Sequence, residues 1–211
     1  EIYGLTKGQY SPTSRVGTRS KSTPTGSIES PLRPLSVAIA SEATFVARTT
    51  DVDINHLVTT LQRAAAHKGS AFVEIYQNCV VFNDAAFDDF ATKEHKDEQQ
   101  LRVENGKPLV FGAQKNKGLR IDPRTLGLEV VTLGENGVTE KDIVVHDETN
   151  STLAYMLARM PFPQFPVAVG VLYAVDRPTY DGTVHHQVEE AAAKAKPDLQ
   201  KLLSSGNTWT V

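Results

Sequence analysis

The chain has 211 residues, 40% hydrophobic and 22% charged, with a formal net charge of −3. These are the values of an ordinary soluble globular protein with room for one large domain or two small ones, and they argue against a nucleic-acid-binding surface. No apolar run approaches the roughly 20 residues that span a bilayer, no signal peptide is visible, and a lone cysteine, Cys79, excludes an internal disulfide and fits a reducing, cytoplasmic setting.

In chain order, Ile2 and Tyr3 read as the last residues of a buried strand. Gly4 and Gly8 then let the backbone turn sharply and approach a partner closely. Thr6, Gln9, Ser11 and Thr13 add hydroxyls and an amide, and Lys7 adds a cation. A loop at the carboxyl end of a strand is where an open α/β sheet places its ligand. Residues 4–35 are rich in Ser, Thr, Gly and Pro, and a stretch this long without regular structure is either functional or a disordered tail. A short helix is predicted over 36–43 and a strand over 44–48. Asp53 is placed as the N-cap of a helix whose apolar positions are Ile54, Leu57, Val58, Leu61 and Ala65, with Gly69 at its C′ position. Residues 71–76 suit a buried strand, which makes a βαβ unit and hence parallel sheet.

The texture changes after Asp84. Residues 85–106 are acidic, polar and helical in part. Strands are predicted over 109–112, 118–121, 128–133 and 143–146, a helix over 152–160 broken by Pro161-Phe162-Pro163, and an apolar strand over 167–175. Asp181 is placed as the cap of a last helix holding Val184, Val188, Ala191, Ala192 and Ala195, which Pro197 kinks or restarts before Leu199, Leu202 and Leu203.

The run Ile2-Tyr3-Gly4-Leu5-Thr6-Lys7-Gly8-Gln9 and the segment from Cys79 to Asp84 are the most specific features. With Lys21-Ser22-Thr23-Pro24, Ala43-Thr44-Phe45-Val46-Ala47-Arg48, Ala71-Phe72-Val73-Glu74-Ile75, Val145-His146-Asp147 and Arg177-Pro178-Thr179-Tyr180-Asp181, they give a resemblance that spans nearly the whole chain. The sequence resembles the thiamine-diphosphate β subunit of the 2-oxoacid:ferredoxin oxidoreductases, most closely the 2-oxoglutarate type. The resemblance implies an α/β fold: residues 1–84 as the second half of a thiamine-diphosphate-binding parallel-sheet domain, and residues 85–211 as a smaller α/β C-terminal extension. The family's Gly-Asp-Gly and Asn-Asn metal-binding elements are absent, so the chain is expected to be the C-terminal half or more of a longer subunit.

The activity so implied is CoA-dependent oxidative decarboxylation of 2-oxoglutarate to succinyl-CoA, with electrons passed to ferredoxin. The implied cofactors are thiamine diphosphate, Mg2+ and a [4Fe–4S] cluster, and the partners an α subunit and ferredoxin. The same chemistry on pyruvate or a branched 2-oxoacid is one alternative, disfavoured by Lys7, since an apolar tail gains nothing from an ammonium group. A non-catalytic interaction fragment is another.

By the same resemblance, the main-chain carbonyl of Ile2 helps coordinate Mg2+, and Ile2, Tyr3, Gly4, Leu5 and Thr6 lie against the cofactor. Lys7 meets the distal carboxylate of the substrate, and Leu5 packs near the reacting centre. Taken alone, Ile2 reads as a strand residue packed in the core, since every strand has carbonyls, and the commoner fate of a lysine such as Lys7 is a solvated loop position. Cys79 completes the [4Fe–4S] cluster, whose three other thiolates the resemblance assigns to the N-terminal half; four are the usual demand. Without that context, a lone cysteine is more often a small buried hydrophobe. The six histidines form no metal-ligand pattern. His56, His67 and His95 read as surface residues, and His146-Asp147 is given no role.

Overall fold

The computed structural model describes residues 2–194, 197–207 and 209. They fall into two compact units, Glu1–Asp176 and Arg177–Val211. In the first unit the strands are β1 (Ile2–Tyr3), β2 (Gln9–Tyr10), β3 (Phe45–Thr50), β4 (Ala71–Tyr76), β5 (Gln100–Val103), β6 (Val110–Phe111), β7 (Lys117–Ile121), β8 (Leu128–Thr132) and β9 (Val167–Ala174). Its helices are α1 (Pro34–Ala40), α2 (Ile54–Ala66), α3 (Asp88–Ala91), α4 (Lys96–Gln99) and α5 (Ser151–Arg159). The second unit holds α6 (Tyr180–Lys194) and α7 (Leu199–Leu203).

The central sheet has the order β4-β3-β9-β5. β3 and β4 run parallel, as the βαβ pattern predicts, and β5 runs parallel to β9. β9 is antiparallel to β3, so the sheet is mixed where a parallel one was expected. The register of that pair shifts between Val46 and Ala47. Gly170 on β9 has φ 125°, and a Cβ there would stand 2.5 Å from Val103 O, so only glycine lets β5 approach this closely. The sheet also joins what the sequence divides near residue 85, because β9 lies between β3 and β5 and carries the C-terminal part into the first unit.

β3 is buried along its whole length, which its apolar and Thr-rich sequence tolerates because both faces are covered. β4 was expected to be buried as well. It is instead the outer strand of the sheet, and Phe72 and Ile75 are exposed on it. The largest core cluster gathers Leu35, Val46, Leu101, Leu119, Leu157 and Leu172 from both sides of residue 85.

Asp53 caps α2 as predicted, its carboxylate accepting from His56 N at 3.1 Å. The face that α2 presents to the sheet differs from the predicted one. His56 Nδ1 lies 2.7 Å from Thr49 Oγ1 and His67 Nε2 lies 2.8 Å from Thr44 Oγ1, so two histidines read as surface residues tie α2 to β3 and its approach. That leaves Thr60 buried and Ile54, Val58 and Leu61 exposed. The C-cap is His67, so Gly69 lies two residues beyond it, at φ 134° in the turn into β4.

Residues 85–106 supply α3, α4 and β5. The expected strand over 143–146 is replaced by a 3₁₀ turn, Glu140–Asp142, followed by a single bridge from Val145 to Pro108. His146 is 1% exposed, and its Nε2 donates to Val171 O at 2.8 Å, which makes it a core hydrogen-bonding residue. Asp181 lies inside the first turn of α6, which starts at Tyr180, and Thr179 Oγ1 accepts from Gly182 N. Ala195 lies outside the described residues. Asp198 caps the short α7 after Pro197.

Candidate functional site

Ile2 and Tyr3 do not end a buried strand. They pair with Tyr10 and Gln9 in a short antiparallel hairpin, with Ile2 half-buried and Tyr3 exposed. The turn closes through Lys7 N to Gly4 O at 2.9 Å and Gly8 N to Tyr3 O at 3.0 Å. It requires positive φ at both Lys7 (59°) and Gly8 (108°), and the left-handed region disfavours a residue with a Cβ. Leu5 at the tip is 98% exposed. Lys7 is exposed and makes no ion pair with a described residue. Thr6 Oγ1 turns back onto Tyr3 O at 3.3 Å.

The Ser- and Thr-rich stretch after the hairpin is an ordered loop. Ser11 N donates to Ser14 Oγ at 3.1 Å, and Ser11 Oγ lies 2.8 Å from Thr13 Oγ1, so these hydroxyls serve the loop itself. Tyr10 donates its hydroxyl to the Glu29 carboxylate at 2.8 Å. That bond pushes the Tyr10 hydroxyl above its ordinary pKa and holds the Glu29 carboxyl below its own. Arg15 pairs with Asp89 of α3 at 2.7 Å and lies over the rings of Phe90 and Phe162 at 5.8 and 5.7 Å. These contacts fasten the loop to the body of the unit.

Cys79 follows β4 at its carboxyl end. Asn78 N donates to Asp51 Oδ2 at 3.0 Å, and Asn78 Nδ2 donates to Asp84 Oδ1 at 2.8 Å. Asn83 N returns to Cys79 O at 2.9 Å, so residues 79–83 form a tight turn. The Cys79 thiol is exposed, not packed in the core. Hydrogen bonding from the main-chain N–H of Phe82, then of Val81, holds it below its ordinary pKa. An accessible thiol at the end of a strand can serve as a metal ligand.

The fold brings the hairpin and the Cys79 turn together. A Cβ on Gly4 would stand 3.3 Å from Phe82 Cε2, and one on Gly8 would stand 3.8 Å from Cδ1. Phe82 was not singled out from the sequence; its signal is only its place three residues after Cys79. Two cavities of about 210 and 290 Å3 lie elsewhere, one lined by Thr50, Asp53, Lys93 and Lys96, the other by Tyr155, Met156 and Arg159. Among the described residues no three His, Cys, Asp or Glu side chains gather as a metal site. No described helix is long and apolar enough to cross a membrane.

Residues 1–75 match the family described as thiamine pyrophosphate enzyme, C-terminal TPP binding domain. The whole chain is 43% identical to 2-oxoglutarate oxidoreductase subunit KorB of Mycobacterium tuberculosis and covers 57% of it. Part of it, 49%, is 40% identical to the β subunit of 2-oxoacid:ferredoxin oxidoreductase of Saccharolobus solfataricus, covering 32% of that protein. Among solved structures, 2-oxoglutarate:ferredoxin oxidoreductase from Magnetococcus marinus, with 2-oxoglutarate, coenzyme A and succinyl-CoA bound, aligns over 96% of this chain and 54% of its own. The TM-score is 0.66 at 26% identity. The chain is thus similar along its whole length to a 2-oxoglutarate oxidoreductase subunit KorB and over about half of its length to a 2-oxoacid:ferredoxin oxidoreductase β subunit, and it spans a little over half the length of the relatives that it matches from end to end.

Proposed function

We propose that this chain is part of the β subunit of a 2-oxoglutarate:ferredoxin oxidoreductase, which with an α subunit converts 2-oxoglutarate and CoA to succinyl-CoA and CO2 and passes the electrons to ferredoxin. The observation that carries this reading is the meeting of the exposed Lys7 hairpin with the Cys79 turn, in a chain 43% identical to a 2-oxoglutarate oxidoreductase subunit. Thiamine diphosphate, when bound, supplies the carbanion chemistry that decarboxylates a 2-oxoacid.

The residues of the chain have distinct tasks in this scheme. Lys7 offers an ammonium group, unpaired among the described residues, to the distal carboxylate of the substrate. A charge-assisted contact there offsets the loss of hydration as the carboxylate enters the site. Leu5, fully exposed on this chain, packs near the reacting centre and keeps water away once the α subunit closes over it. The main chain from Tyr3 to Thr6 lines the cofactor. Mg2+ would take from this chain one main-chain carbonyl, that of Ile2, and its remaining oxygens from the rest of the β subunit and the cofactor, since Mg2+ demands a near-octahedral oxygen shell.

Cys79 fits a [4Fe–4S] cluster as one ligand. It is exposed at the carboxyl end of β4, and amide donors favour its thiolate. Such a cluster, held in part by Cys79, would supply single-electron transfer toward ferredoxin. The test is substrate discrimination in the assembled enzyme. Lys7→Ala is expected to lose turnover of 2-oxoglutarate selectively, and equal losses on 2-oxobutyrate would overturn the assignment of Lys7 to the substrate tail.

A further inference from the structure

Two short strands with two-residue pairing do not hold a hairpin in place by themselves. The β1–β2 hairpin needs a surface to lie on, and Phe82 is part of it. The ring of this residue lies against the backbone at both ends of the turn, at Gly4 and at Gly8. A Cβ at Gly4 would stand 3.3 Å from the ring, tighter than ordinary contact, so glycine permits this close approach. The same residue lies inside the Cys79 turn, which Asn83 N closes onto Cys79 O at 2.9 Å. Phe82 remains 37% exposed, so its ring is not simply a core side chain.

We infer that Phe82 is a positioning residue that fixes the Lys7 hairpin against the Cys79 turn, so that the substrate-binding loop and the cluster-ligating loop keep one relative geometry. Its ring lies against the hairpin and its main chain belongs to the Cys79 turn. The substrate and the cluster named here rest on the proposed function; the mechanical coupling of the two loops does not. The ring acts through Lys7 and takes no part in the chemistry.

The test uses the assembled oxidoreductase with Phe82→Ala, Phe82→Tyr and, as a control on the same turn, Val80→Ala, whose side chain is exposed. Hydrogen exchange at the amides of Lys7 and Gly8, which close the hairpin turn, is expected to accelerate about tenfold in Phe82→Ala. It should stay at the wild-type rate in Phe82→Tyr and Val80→Ala. The KM for 2-oxoglutarate should rise about tenfold in Phe82→Ala with a smaller change in kcat, the split expected of lost substrate positioning. Phe82→Tyr should restore it. Iron content should hold, because Cys79 and the main chain of its turn are unchanged. If Phe82→Ala fails to assemble, Phe82→Leu keeps the apolar bulk without the flat ring and should show the same acceleration in smaller measure. Unchanged exchange at Lys7 and Gly8 in Phe82→Ala, or in Phe82→Leu, would overturn the inference. Accelerated exchange in a protein that carries no iron and does not use 2-oxoglutarate would instead overturn the proposed function and leave the coupling standing.

Discussion

Lys7 sits at φ 59°, exposed and without an ion pair among the described residues, so its replacement acts on the cation and on the backbone separately. Lys7→Ala removes the ammonium group and keeps a Cβ in the left-handed region. Lys7→Gly removes the same charge and relieves a conformational cost of about 1 kcal/mol. In the proposed enzyme a charge-assisted contact to the distal carboxylate would contribute on the order of 1.5–3 kcal/mol, so both variants should lose roughly 10- to 150-fold in kcat/KM for 2-oxoglutarate. Neither should lose more than about threefold on 2-oxobutyrate, which keeps the 2-oxoacid group and lacks the distal carboxylate. Lys7→Arg should retain most of the activity on 2-oxoglutarate. The assay is substrate-dependent dye reduction by the assembled enzyme under saturating CoA. Equal losses on both substrates in Lys7→Ala, with recovery in Lys7→Gly, would show that turn conformation and not charge is what residue 7 contributes.

Cys79→Ala in the complete enzyme should lose iron and the reduction of ferredoxin or viologen dyes, while some exchange of CO2 with substrate persists; full iron content would return Cys79 to an ordinary surface thiol. Gly170→Ala places a Cβ 2.5 Å from Val103 O at φ 125°, and should lower the urea midpoint by the equivalent of about 2–4 kcal/mol. A midpoint unchanged from wild type would show that β5 and β9 separate at little cost. Glu98 is held below the usual carboxylate range by Lys117 and then by the Ala113 amide, so its contribution to stability is present above the unfolded pKa, near ~4.3, and is lost as pH falls through the lower folded value. Both partners are more than one-third exposed, so Glu98→Gln should cost no more than about 1 kcal/mol near neutral pH, and the difference from wild type should shrink toward about pH 3. A difference that grows on acidification would contradict this sign.

The strands β3, β4 and β9 and the helices α2 and α5 are legible because apolar runs of strand length and apolar positions at helical spacing are bounded by strong punctuation: Asp53, Gly69 and Pro161-Phe162-Pro163. The direction of β9 is not legible. It depends on the route of the chain through the β6–β8 sheet, and a buried apolar strand carries no mark of its polarity. The inward face of α2 was misjudged because His56 and His67, hydrogen-bonded to Thr49 and Thr44, outcompete the apolar stripe for contact with β3. At the site, Lys7 and Cys79 stand out as a cation between Thr6 and Gly8 and a solitary thiol after a strand. The turn at residues 79–83 is closed by main-chain atoms, Asn83 N onto Cys79 O, which leave no residue signature, so it is seen only in the structure.

The most direct measurement is product formation by the complete β subunit containing this chain, co-purified with its α subunit under anaerobic conditions. Supplied with 2-oxoglutarate, CoA and oxidised ferredoxin, it should form succinyl-CoA and reduce ferredoxin in proportion, with kcat/KM for 2-oxoglutarate exceeding that for pyruvate by about tenfold or more. Equal or faster turnover of pyruvate, or release of CO2 without CoA-dependent ferredoxin reduction, would contradict a 2-oxoglutarate:ferredoxin oxidoreductase.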